Sequence, residues 1–166
     1  IASCSSGNYM AEQVVKCYQE LLAENGGDER LVFLKDIDHH FTDTETMVRL
    51  EHHVGGSDVF LFQALLSPEE GYNVNHNYLT LLIAARAFRE HGANRVTAVV
   101  PYLTYSRQDK PTKFQREPTT AKLMADLSRA AGIDRVIAWN PLLNPGPRIL
   151  RRHARQHARP FNHVQP

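Results

Sequence analysis

Val96-Thr97-Ala98-Val99-Val100-Pro101-Tyr102-Leu103-Thr104-Tyr105-Ser106-Arg107-Gln108-Asp109-Lys110 is an apolar run that passes straight into a loop dense in cations and amides. Val96 to Val100 reads as a buried strand, and an amphipathic helix pattern follows the loop. A polar loop on the carboxyl end of a buried strand is where open α/β sheets bind ligands. Arg107 offers a planar fork of donors that suits phosphate, and Gln108 both donates and accepts against a base edge. The residues therefore point to a nucleotide phosphate site.

Strands and helices alternate on both sides of that loop. Upstream, Asn77 to His91 is predicted helical, with Leu79, Leu82, Ile83, Ala85, Ala87 and Phe88 as its apolar face and Gly92 as its stop. Pro68 to Asn75 reads as loop. Leu31–Leu34 and Val59–Phe62 read as buried strands, and Thr46–Glu51 as a looser one before the Gly55-Gly56 turn. Ala2-Ser3 ends a first short strand. Asn8 then caps a helix carrying Met10, Val14, Val15, Cys17, Tyr18, Leu21 and Leu22 as far as Gly26-Gly27. Downstream, Pro118 suits the first turn of a helix running to about Ala131, and Val136–Trp139 is a last strand. The alternation implies an α/β fold, a mostly parallel sheet flanked by helices on both faces.

Composition narrows the classes. A chain of 166 residues, 42% hydrophobic and 22% charged, is expected to form one soluble domain. No apolar run approaches the length of a membrane span. The net charge of +1 is uneven. Residues 141–166 hold five Arg and no Asp, Glu or Lys, while residues 1–140 hold 14 Lys+Arg against 18 Asp+Glu. The body is thus mildly acidic and lacks a basic footprint for nucleic acid. Cys4 and Cys17 have no metal-ligand spacing and read as free thiols of a reducing, cytoplasmic setting, Cys17 as a small core residue. His39-His40 and His52-His53 invite a metal reading. Neighbours on a strand point to opposite faces, however, so no metal ligand is assigned.

Four ordered blocks resemble one family. Tyr105-Ser-Arg107-Gln108-Asp109-Lys110 with Arg116-Glu117-Pro118 and Ala121-Lys122-Leu123 is similar to the signature of ribose-phosphate pyrophosphokinase. Ser6-Gly7-Asn8, Phe41-Thr-Asp43-Thr-Glu45 and Gly56-Ser-Asp58-Val-Phe60-Leu-Phe-Gln63 agree in the same order, over about residues 1–140. The resemblance implies a phosphoribosyltransferase-like N-terminal domain. It also implies transfer of pyrophosphate from ATP to ribose 5-phosphate with Mg2+. On that basis Arg107 would reach ATP phosphate, Gln108 would lie near the base, and Asp109 would shape the loop. Phe41 would stack on adenine while Asp43 and Glu45 accept from its amino group, in the site of a neighbouring subunit. A homo-oligomer follows. Arg116 would help to hold the loop. Lys122 reads equally as a solvated or interface residue. Ser6-Gly7-Asn8 reads as a strand-to-helix turn and cap. Thr44 stands where the family has Gly, and a β-carbon there strains any positive φ.

The resemblance stops at Asn140. Residues 141–166 form an Arg/Pro/His-rich stretch expected to be a disordered tail. Codons compatible with Pro141–His157, read one nucleotide later, permit His-Ser-x-x-Gln-Val-His-Gly-Phe-Tyr-Gly-x-Met-Pro-Val-Asn-Met, close to the family's continuation. A frameshift product is the expectation, with domains at 1–140 and 141–166. The family's metal-binding His and its ribose 5-phosphate loop lie beyond the resemblance. This chain is therefore expected to be inactive alone, ribose 5-phosphate being a partner only of a full-length protein. The alternative is a non-catalytic regulatory or binding subunit associated with active enzyme.

Overall fold

Two parallel strands, β4 (Asp58–Phe62) and β5 (Arg95–Val99), pair in register from Asp58 opposite Arg95 to Phe62 opposite Val99. β1 (Ala2–Ser3) adds beside β4, and β6 (Arg135–Ile137) adds beside β5. The sheet order is β1-β4-β5-β6, parallel throughout. These relations come from a computed structural model, which describes residues 1–27, 31–67 and 71–138.

Parallel neighbours need long crossovers, and helices supply them. α1 (Asn8–Glu24) follows β1, α2 (Val74–Glu90) joins β4 to β5, and α3 (Thr120–Ala131) joins β5 to β6. Alternate strand residues divide between the two faces. Val59, Leu61, Val96, Ala98 and Val100 share a core with Tyr78, Leu81, Ala84, Ala85 and Phe88 of α2 and Ala131 of α3. Phe62 and Val99 pack instead with Ala11 of α1. The expected α/β sheet, covered on both faces, is the fold observed. Among the described residues no helix is long and apolar enough to cross a membrane.

A small hairpin stands apart from the sheet. β2 (Asp38–His40) pairs antiparallel with β3 (Thr46–Val48), His40 opposite Thr46. The sequence shows β3 but not β2, because Asp38-His39-His40 lacks apolar alternation and the strand is held by burial of Asp38 instead.

Local readings fail where tertiary contacts override pattern. Leu31–Leu34 is not a strand. Only Leu34 is buried, bridging Ala2, because the two-residue β1 offers so little edge to pair with. Asn8 is the first residue of α1 rather than its cap, and its side chain is spent on Ser3 and Asp36. Cys17 is exposed, since α1 buries only Ala11 and Val15 along its inner stripe. α2 starts at Val74, inside the expected loop, because Asn73 accepts from the His76 amide as a cap. Its inner face is Tyr78, Leu81, Ala84, Ala85 and Phe88, while Leu79 faces out. A helix apolar on nearly every side leaves its orientation to the sheet. α3 begins at Thr120, after Pro118 rather than at it, and β6 ends at Ile137. Trp139, the domain boundary at 140 and the tail fall outside the described residues.

The Ser-Gly-Asn turn owes its shape to a close approach. Ser5–Gly7 forms one 3-10 turn, and the Cys4 amide donates to Phe62 O at 3.2 Å. A β-carbon on Gly7 would lie 2.3 Å from that same oxygen, so only glycine lets α1 start this near the carboxyl end of β4.

Candidate functional site

Strand β5 delivers its chain to the carboxyl edge of the sheet, where the Val100 amide still donates to Ile137 O at 2.9 Å. The loop beyond is pinned at three points. The Tyr105 hydroxyl donates to Asn75 Oδ1 in the first turn of α2, and its ring meets Tyr78 edge-on with centroids 6.3 Å apart. The Gln108 amide closes a turn onto Tyr105 O at 3.0 Å. Gln108 O then accepts from the Ala121 amide at 3.2 Å, fastening the turn to α3. Tyr105 adopts φ +60° to make this turn. Arg107 and Gln108 stand exposed at its tip, with Asp109 half-buried beside them.

Glu117, not singled out in the sequence as a site residue, closes the second half of the loop. Its carboxylate accepts from the Thr112 amide at 2.9 Å, and that bond holds it below the usual carboxylate range. The Gln115 amide donates to Thr112 O at 3.0 Å in the same bend. Arg116 is exposed next to it. Lys122 is exposed and paired with Asp126 one turn along α3 at 2.5 Å, as a solvated residue would be.

The second group sits on the β2–β3 hairpin. Phe41, Asp43 and Glu45 are all exposed, Phe41 by 54%. The Phe41 amide donates to Glu45 O at 2.9 Å, the Thr44 amide to Phe41 O at 2.9 Å and the Glu45 amide to Asp43 Oδ1 at 3.2 Å. Thr44 takes φ +73°, the left-handed position of a three-residue hairpin loop that normally falls to Gly.

Both groups rest on the N-terminal half of α2. Asn75 and Tyr78 hold the Arg107 loop, while Thr80 meets Thr46 of β3 at 3.3 Å between hydroxyl oxygens. Among the described residues, no hydrogen bond or ion pair joins Phe41, Asp43 or Glu45 to Arg107, Gln108 or Asp109. Nothing in their own sequence marks Asn75, Tyr78 and Thr80 as supports, since each bonds across a long separation. A cavity of about 170 Å³ under the loop is lined by Asn75, Tyr78, Leu79, Tyr105, Met124 and Leu127. A larger one of about 220 Å³, bounded by Leu34, Asp36, His39, Arg49 and His52, touches none of the candidate residues. Among the described residues no three or more His, Cys, Asp or Glu side chains gather to hold a metal ion.

Residues 1–132 match the model of the N-terminal domain of ribose phosphate pyrophosphokinase. A ribose-phosphate pyrophosphokinase of Clostridium perfringens is 47% identical over 100 residues, 60% of this chain and 30% of that protein. Ribose-phosphate pyrophosphokinase A of Dictyostelium discoideum is 42% identical over 123 residues, 74% of this chain and 37% of its own length. The crystal structure of phosphoribosylpyrophosphate synthetase from Mycobacterium smegmatis superposes with a TM-score of 0.64 at 24% identity, covering 91% of this chain and 45% of that one. That likeness is one of fold. The chain spans about a third of the length of the curated relatives it matches.

Proposed function

This chain belongs to the ribose-phosphate pyrophosphokinase family through its N-terminal domain, and we propose that it carries the ATP side of that family's pyrophosphoryl transfer. The observation that carries the reading is the exposed Arg107-Gln108 turn at the carboxyl end of β5, braced by both α2 and α3. Arg107 binds ATP phosphate, Gln108 lies by the base, and Asp109 shapes the turn from its half-buried position. Phe41 stacks on adenine, and Asp43 and Glu45 accept from the amino group. The missing link between the two groups within one chain fits service by the hairpin to a second copy, hence a homo-oligomer working in the cytoplasm. Transfer of this kind relies on positioning and on charge stabilisation. Braced cations meet that need better than cations on a free loop.

Among the described residues no three or more His, Cys, Asp or Glu side chains gather, and magnesium held chiefly by phosphate oxygens and water would need fewer. Mg2+ is read as the companion of ATP phosphates, and no step is drawn through it. In this reading ribose 5-phosphate is a substrate of the full-length protein, and the 166-residue chain on its own is expected to bind nucleotide without transfer.

Calorimetric titration with a non-hydrolysable ATP analogue tests the reading, alongside an assay for AMP formation from ATP and ribose 5-phosphate. Arg107→Ala should weaken binding by about 10- to 100-fold, the worth of one charge-assisted hydrogen bond of roughly 1.5–3 kcal/mol. Equal binding by wild type and variant would remove Arg107 from the site. AMP above contaminant controls would overturn the inactivity. A non-catalytic subunit, the second reading, would show itself by co-purifying with a full-length synthetase and altering its rate.

A further inference from the structure

The β2–β3 hairpin is seated on α2 by a cluster of rings that the ATP reading does not use. His40 ends β2, Tyr72 precedes the Asn73 cap, and His76 lies in the first turn of α2. The rings of Tyr72 and His76 stack at 4.1 Å between centroids. His40 lies against both, at 4.6 Å from Tyr72 and 4.8 Å from His76. Behind His40 stands the Asp38 carboxylate, 3% exposed, with Oδ2 3.4 Å from His40 Nε2. Asp38 Oδ1 accepts from the Ser5 amide at 2.6 Å and from the Ser5 hydroxyl at 2.9 Å. His40 Nδ1 is 3.3 Å from Thr46 Oγ1, which in turn reaches Thr80. His76 Nε2 is buried and has no hydrogen-bond partner among the described residues. The residue after His40 is Phe41, so this cluster is the foot of the exposed turn.

We propose that the His40–Tyr72–His76 cluster is a proton-operated latch, holding the Phe41–Glu45 turn against α2 while the His76 imidazole is neutral and releasing it when His76 is protonated. A proton on His76 meets three opposing effects. Its Nε2 is buried with no acceptor among the described residues. An imidazolium at His40 would stand 4.8 Å away between ring centroids. The first turn of a helix is also the positive end of its dipole, which disfavours a cation. Among the described residues, the titratable groups facing His76 are His40 and Asp38 of β2 and Tyr72 before the cap.

Burial, then His40, press the His76 imidazole below its ordinary 6.5, and Asp38 opposes them. The sign follows. A base with a lowered folded-state pKa favours the docked state fully above 6.5. That contribution drains away as pH falls through the folded value. The docking of the hairpin is independent of the ATP reading. Only its consequence for nucleotide rests on that reading.

Nuclear Overhauser contacts from the His40 ring to the Tyr72 and His76 rings in the full chain, followed by NMR from pH 8 to pH 5 beside the His76 ring protons, test the latch. The docking equilibrium should fall by up to about tenfold per pH unit between 6.5 and the lowered docked-state value of His76, one proton being coupled to opening. His76→Gln should abolish that pH dependence. His39→Gln, at the exposed histidine of β2, should keep it. Ring contacts that stay constant with pH, or a pH response of the His40–Tyr72 contact intact in His76→Gln, overturn the latch. Should His76→Gln not fold, the wild-type ring signals decide, because His76 titrating at or above 6.5 also overturns it. An ATP analogue titrated over the same range separates the two readings. A turn that opens without loss of affinity leaves the latch standing and removes Phe41 from the adenine site.

Discussion

Thr44 carries a β-carbon into φ +73°, where an L-residue is disfavoured by about 1–2 kcal/mol. Glycine would remove that cost but would lose more chain entropy on folding, by roughly 0.4–1 kcal/mol. Thr44→Gly is therefore expected to stabilise the protein by roughly 0.5 kcal/mol, seen as a higher urea midpoint at unchanged slope. A lower midpoint would mean that the turn is not strained. The sequence made this strain visible in advance, because Thr replaces Gly inside a recognisable Phe-x-Asp-x-Glu pattern. The two thiols were not legible in the same way. Cys4 is fully buried, and burial first, then Asp38, pushes its thiol well above the ordinary range. Cys17 sits exposed on α1. Iodoacetamide at pH 8 should thus modify Cys17 in the folded chain and reach Cys4 only after denaturation, as peptide mass mapping would record. Rapid native labelling of Cys4 would contradict the packing around β1. Both cysteines lie in mixed polar and apolar surroundings in the sequence, and what separates them is that α1 turns Ala11 and Val15 inward and leaves Cys17 outside.

At the level of elements, α2 is the organiser. Its inner face packs the core, its first turn holds the Arg107 loop, and it also seats the hairpin. The Tyr78 hydroxyl joins it to α3, donating to Met124 O at 2.9 Å and lying 2.6 Å from Ser128 Oγ. Burial pushes that phenol above its ordinary pKa, with the Ser128 hydrogen bond opposing. Tyr78→Phe should cost about 1 kcal/mol, the net worth of a partly buried hydrogen bond, measured by chemical denaturation. No loss would show that the α2–α3 seam rests on packing alone. α3 itself ends as its sequence suggests. Gly132 at φ +102° lets its own amide reach Arg129 O and the Ile133 amide reach Ser128 O, both at 3.0 Å. Such end signals are local in the chain and can be read directly. The choice of inner face on α2 cannot, because the helix is apolar on too many sides.

For the whole molecule, the outer surfaces of α2 and α3 leave Leu79, Leu123 and Leu127 from 40 to 55% exposed. These residues, together with a hairpin that among the described residues makes no hydrogen bond or ion pair to its own Arg107 loop, support the proposed self-association. Sedimentation equilibrium across a wide concentration range should show reversible dimers or larger species, and a strict monomer throughout would withdraw the shared-site arrangement. The reading-frame expectation for residues 141–166 lies outside the described residues, and resequencing of the source DNA would decide it. Family membership, the alternation of strands and helices, and the Arg107-Gln108-Asp109 turn were all legible in the chain. Each is written in contiguous residues whose period, turn chemistry or order needs no partner. Folding alone brought Asp38 to Ser5, His40 to His76 and Tyr105 to Asn75. These pairs lie 30 to 36 residues apart, and nothing in either partner's neighbours specifies the other. A buried carboxylate, an unpaired imidazole nitrogen and a braced loop are properties of such meetings. They arise when the sheet closes and water leaves, which is why the site's shape belongs to the tertiary structure although its residues belong to the sequence.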